Sequence, residues 1–204
     1  MSAFTHLHVH SYYSLLDGIP GIEQLIQQAR KLKMKHLALT DHNALYGAVM
    51  FFKQAQEAGI HPIIGSEISL RDGSKMVLLV KNETGYRNLC MLLSAAHLRG
   101  GHLKFDIDLK DVFRYRNGLI ALSGGQQGKI WQLAKERKIE EAEAYCRQMK
   151  AAWGDAFYME LQHFRPNDFL VNIRLRDLAI QHHIPLVASN NVHFLSAEDW
   201  PLRR

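Results

Sequence analysis

Short apolar runs alternate with segments of helical periodicity along nearly the whole chain, and this rhythm constrains the fold most. Phe4–Val9, His36–Thr40, Pro62–Leu70, Lys75–Val80, Gly118–Leu122, Ala156–Leu161 and Pro185–Ala188 read as strands. Between them, Ile22–Lys33 places Ile22, Leu25, Ile26, Ala29 and Leu32 on one helical face. Leu45–Ala58 stops at Gly59, and Glu83–His97, Gln126–Ala152 (two helices, the second opening near Ile139) and Asn167–Gln181 are also helical. Arg71-Asp72-Gly73-Ser74 is a hairpin turn. Strand-then-helix repetition implies an α/β fold with a mostly parallel sheet, and about seven such pairs favour a closed or nearly closed barrel over an open sheet. No Gly/Ser/Pro linker interrupts residues 1–204, so a single domain is expected.

In such a barrel, reactive groups gather at the carboxyl ends of the strands. The chain carries 12 histidines, and several fall at those ends. His6, His8 and His10 alternate along the first strand, which places them on one face. Asp17 follows in the next loop, Asp41 and His42 follow the second strand, Glu67 lies on the third, and His193 follows the last. Each has an ordinary structural explanation alone: a satisfied histidine, an aspartate cap, a turn. Together they are a set of imidazoles and carboxylates suited to zinc, manganese or iron. His36, His61, His97, His102, His163, His182 and His183 are read as structural, Ser11 and Ser14 form no triad, and Ser123-Gly124-Gly125 is too common a turn to specify phosphate binding.

Composition narrows the setting. A 47% hydrophobic chain with 22% charged residues is globular rather than disordered. No apolar run approaches the roughly 18 residues of a membrane span, and Met1–His6 lacks a signal-peptide pattern. Two cysteines, Cys90 and Cys146, suit a reducing cytoplasm. A net charge of +5 from scattered Lys and Arg permits DNA as a partner, with weak, salt-sensitive binding.

His6-Leu7-His8-Val9-His10-Ser11, Tyr13-Ser14-Leu15-Leu16-Asp17-Gly18 and Thr40-Asp41-His42 resemble the motifs of the polymerase and histidinol phosphatase (PHP) family. Tyr46-Gly47-Ala48, Gly59-Ile60-His61-Pro62-Ile63-Ile64-Gly65-Ser66-Glu67, Gly85-Tyr86-Arg87-Asn88-Leu89-Cys90 and Leu119–Gly125 resemble the N-terminal PHP domain of bacterial DNA polymerase III alpha subunits, the C-family, nearest the error-prone or accessory branch. The ending at Trp200-Pro201-Leu202-Arg203-Arg204 fits a domain excised from a longer polymerase chain.

The resemblance implies a distorted (β/α)7 barrel with up to three metal pockets at the C-terminal ends of its strands. The first would use His8, His10 and Glu67, with Asn191 where the family has Asp. The third would use Asp17, His42 and His193. The second would share Glu67 but meets Lys75 in place of His, and Gly125 in place of Cys or His. An ammonium repels a cation and glycine offers no ligand, so at most two ions are expected. Restoring Lys75→His, Gly125→Cys and Asn191→Asp should raise metal content toward three. The implied role is mainly supporting, within a DNA-directed DNA polymerase for replication or translesion synthesis. Its partners would be the remainder of that chain, DNA weakly, and replication or repair subunits, with no membrane. The alternatives are an active metal-dependent phosphoesterase or 3′–5′ exonuclease, and a free-standing phosphatase for a histidinol-phosphate-like substrate.

Overall fold

The computed structural model describes residues 4–100 and 105–202; Met1–Ala3, His102 and the terminal Arg203-Arg204 lie outside the described residues. The chain divides into two compact units, residues 1–67 with 190–204, and residues 68–189.

In the first unit, α1 (Ile22–Lys31), β1 (His36–Leu39), α2 (Ala48–Glu57) and most of β2 (His61–Ser69) follow one another, with β1 and β2 parallel and in register from His36↔His61 to Leu39↔Ile64. Four of the five residues expected on the apolar face of α1 are buried: Ile22, Leu25, Ile26 and Ala29 pack with Val9, Leu37, Leu39, Phe51 and Ala55, whereas Leu32, at the C-cap, is exposed. This core holds the strand ends still.

The first expected strand is not regular. Ala38 N donates to the His6 carbonyl (3.0 Å), whereas Thr40 N donates to the Val9 carbonyl (2.8 Å). Two residues on β1 therefore match three on the first segment, a bulge-like offset that breaks simple alternation. On the other side, His10 N donates to Val192 O and Val192 N to His8 O. Phe4–Val9 is thus a backbone-bonded extended segment with a single bridge, Val9↔Val192. Six regular strands remain among the described residues, rather than seven.

The second unit holds β3 (Lys75–Val80), α3 (Glu83–Gly100), α4 (Leu109–Arg114), β4 (Leu119–Leu122), α5 (Lys129–Lys135), α6 (Ile139–Trp153), β5 (Phe157–Leu161), α7 (Asp168–Gln181) and β6 (Leu186–Ala188). β3 and β4 are antiparallel, while β4–β5 and β5–β6 are parallel. The expected turn closes with Gly73 N donating to Leu70 O and Leu70 N to Ser74 O. Helix α4 was not expected from the sequence. It is one and a half turns long, and its signal is the reciprocal cap between Asp108 and Asp111. No helix among the described residues is long and apolar enough to cross a membrane.

Cys146 is wholly buried on α6, and desolvation pushes its thiol up to about 12. A thiol so protonated and covered is a poor nucleophile. In a Cys90→Ser variant at pH 8, Cys146 is expected to stay unreactive toward a disulfide reagent until denaturant unfolds the chain. Prompt labelling of the native protein would contradict the packing.

Candidate metal centre

The first extended segment, the loop after β1 and the middle of β2 carry their side chains to one place in the first unit. His8 and His10 are fully buried and Glu67 is 1% exposed. The Glu67 carboxylate accepts from His8 Nε2 at 2.8 Å (Oε2) and lies 2.7 Å from His42 Nδ1 (Oε1). His10 Nε2 is 4.0 Å from Glu67 Oε2. One donor atom from each of His8, His10 and Glu67 lies within 4.8 Å of the others. Ligands about 2.1 Å from a tetrahedral cation sit roughly 3.4 Å apart. The separations here, 2.8 and 4.0 Å to Glu67 and at most 4.8 Å overall, bracket that value, so side-chain shifts on the order of an ångström admit one.

Asp17 Oδ2 is 2.6 Å from His42 Nε2 and 3.3 Å from His193 Nδ1. This second triad is looser, with the two imidazole centres 6.3 Å apart. It is also wetter, His42 being 19% and Asp17 25% exposed. His42 joins the two sets, since its nitrogens face a carboxylate on either side. The His10 ring stacks on His193 with centres 4.3 Å apart and planes 6° from parallel, and tilts against His42 at the same distance.

Electrostatics favour a cation. Burial pushes the His10 imidazole well below its ordinary range, and His8, His42 and His193 add to this while Glu67 opposes it. It is therefore neutral, the form that binds metal. Burial raises the Glu67 carboxyl, but hydrogen bonds from His42 and His8, with the charges of His8 and His10, outweigh this and hold it well below the usual carboxylate range. An anion and a neutral imidazole in a dry pocket are a chemically suitable donor set. His10 Nε2 is buried without a hydrogen-bond partner, as an atom kept for a ligand would be.

Asn191, the neutral stand-in of the first pocket, adopts a left-handed φ of 44°, and its Oδ1 is likewise buried without a hydrogen-bond partner. It directly precedes Val192, whose amide binds the His8 carbonyl at 2.9 Å. His6 corrects the reading of three histidines on one face. The offset after it turns its ring to Phe4 (centres 5.0 Å apart), and it lines a cleft of about 340 Å³ with Leu25, Ala29, Leu37 and Asn191.

Asp41 caps no helix. Its carboxylate accepts from Ser11 N, Ser11 Oγ and Ser14 Oγ at 2.6–2.7 Å. These serines form no nucleophilic triad but bind the loop to the centre. Standing 30 and 27 residues before Asp41, they carry no sequence signal that pairs them with it.

Lys75 and Gly125 belong to the second unit. Gly125 has φ +53°, and a Cβ there would lie 2.2 Å from the Gln162 carboxamide. That amide accepts from Gln126 N (3.1 Å) and donates to Glu160 Oε1 and Ser189 Oγ (both 3.1 Å). Glu160 is fully buried and also accepts from Ser189 Oγ. This buried polar network was missed in the sequence, although a glutamate inside Phe157–Leu161 is an anomaly in an apolar strand.

The PHP domain family model matches residues 6–164. The chain belongs to the PHP family. It is 40% identical over 213 residues to the DNA polymerase III subunit alpha of Borreliella burgdorferi, covering 97% of this chain and 19% of that protein. It is also 40% identical over 215 residues to the error-prone DNA polymerase of Symbiobacterium thermophilum, covering 97% and 20%. The chain thus spans about a fifth of the length of these curated relatives. Among solved structures, it is similar to a Bifidobacterium adolescentis protein described as a metal-dependent phosphoesterase. The TM-score is 0.61 at 16% identity, over 95% of this chain and 89% of that one. This PHP chain therefore has the α/β fold of PHP-like phosphoesterases, and His8, His10 and Glu67 place a divalent-metal donor set within it.

Proposed function

We propose that this chain is the PHP domain of a DNA polymerase III alpha subunit, binding at most two divalent cations, zinc or manganese with iron as an alternative. Its role would be chiefly to support the polymerase chain in replication or translesion synthesis. The convergence of His8, His10 and Glu67 in one dry pocket carries the metal reading. The likeness to alpha subunits over 97% of the chain supports the parent, and with it DNA, replication or repair subunits as partners and a cytoplasmic setting.

In the first pocket, His8 and His10 would supply imidazole nitrogen, Glu67 the negative charge and Asn191 a carbonyl oxygen. Asp17, His42 and His193 would form the third pocket, in the open three-ligand pattern of a hydrolytic centre. A cation held there would supply Lewis acidity toward a phosphoryl oxygen and acidify a water molecule. The protein's own part is to hold the His10 imidazole neutral, exclude bulk water there, and leave Asp17 and His42 accessible to solvent. Gly125, with the Gln162 amide in its side-chain space, offers no third set, which supports impaired hydrolysis. Two intact donor sets favour a second reading, an active phosphoesterase or 3′–5′ exonuclease.

Elemental analysis after zinc or manganese loading is expected to give one to two ions per chain. At a free ion concentration a hundredfold above Kd, binding stabilises by about 2.7 kcal/mol. For a domain of this size that raises Tm by roughly 5–11 °C, reversed by a chelator. No bound metal and no shift in Tm would remove the reading. Three ions, with brisk chelator-sensitive hydrolysis of a phosphodiester, would favour the active enzyme.

A further inference from the structure

The hydrogen bonds around His10 fix which of its nitrogens carries the proton. Asp41 is 1% exposed, and its carboxylate only accepts: from Ser11 N at 2.7 Å, Ser11 Oγ at 2.7 Å and Ser14 Oγ at 2.6 Å. The single hydroxyl proton of Ser14 is therefore committed to Asp41. Two lone pairs remain on Ser14 Oγ. One accepts from the His42 amide at 3.1 Å, and the other faces His10 Nδ1 at 2.9 Å. Since Ser14 has no second proton to give, His10 Nδ1 must be the donor. Nε2 is left with its lone pair, buried without a hydrogen-bond partner, 4.0 Å from Glu67 Oε2.

We infer that Ser14 and Asp41 are positioning residues that act through His10, locking it as the Nδ1–H tautomer so that Nε2 faces the first metal pocket. The inference rests on the metal reading above and adds the residues that prepare its ligand. Outer-shell partners of this kind orient a ligating imidazole and raise its basicity. Both residues are buried, and Ser14 satisfies the His42 amide at the same time. One hydroxyl thus ties the backbone of one triad to the side chain of the other.

Nitrogen-15 spectra of the histidine rings in the metal-free protein read the tautomer without any variant. His10 is expected to show a protonated Nδ1 and an unprotonated Nε2, the latter shifting when Zn²⁺ is added. Ser14→Ala should mix the two tautomers and weaken Zn²⁺ binding at the first pocket roughly 10–100-fold. A His10 protonated at Nε2 in the wild type, or a Ser14→Ala protein with unchanged tautomer and Zn²⁺ affinity, would overturn the inference. An Nδ1–H tautomer with no uptake of Zn²⁺ would instead refute the metal reading and leave the Asp41–Ser14–His10 chain standing.

Discussion

Glu67→Gln is expected to release the metal of the first pocket and leave the fold standing. Glu67 is the anion between His8 and His42, and the one carboxylate in the set it forms with His8 and His10. Glutamine keeps the shape and one acceptor oxygen but removes the charge. Few anions mean weak affinity for a divalent cation, so metal content should fall by one ion per chain. The Asp17, His42 and His193 set keeps its own carboxylate and should retain its ion. Glu67→Ala goes further. Leaving a buried donor without its acceptor costs about 1–3 kcal/mol, so with His8 and His42 deprived of theirs the metal-free protein would melt lower. Metal analysis with circular dichroism separates the two: Gln loses metal at near-native Tm, Ala loses both. Unchanged metal content in the Gln variant would show that the ion is held elsewhere.

The centre was legible because its chemistry is local to strand ends, and strand ends can be read from apolar periodicity. His8 is placed by the alternation of its segment, His42 by following the apolar run His36–Thr40, and Glu67 by lying in the strand-like run Pro62–Leu70, none of which needs tertiary information. His6 was misplaced because the pleat was taken as unbroken from Phe4 to Val9. The extra residue between the His6 and Val9 carbonyl bonds is a pairing property, set by β1 and by Val192 far along the chain. Helix α4 was lost for a similar reason: six residues give too short a period, and its reciprocal aspartate cap reads equally as a turn. The shell of Ser11, Ser14 and Asp41 has residue types that suit any loop, and only their distances reveal a common purpose. Glu160 and Gln162 show the opposite failure, two polar residues at alternate positions of a strand end, visible but without a partner to name. Their partner is the empty side of Gly125.

That relation reverses one expectation from the sequence. Adding a ligand at position 125 is expected to damage the protein rather than recruit an ion. Gly125 sits at φ +53°, a region L-residues enter at a cost, and its hypothetical Cβ falls 2.2 Å from the Gln162 amide. The amide cannot simply swing away. It is 2% exposed and bonded to Gln126 N, Glu160 and Ser189, and moving it would strip the fully buried Glu160 of a donor. Overpacking costs about 1–3 kcal/mol, and a non-glycine residue in the left-handed region about 1–3 more. Gly125→Cys should therefore lose about 2–6 kcal/mol, a fall in Tm of roughly 5–20 °C for a chain of this size. Gly125→Ala should lose a similar amount, since the first added carbon makes the clash. Lys75→His, Gly125→Cys and Asn191→Asp together should gain no third ion. Shortening Gln162 to Ala in the same background should recover part of the Tm by freeing the space. A Gly125→Cys protein that melts at the wild-type temperature would mean that the network yields and that position 125 can accept a ligand side chain.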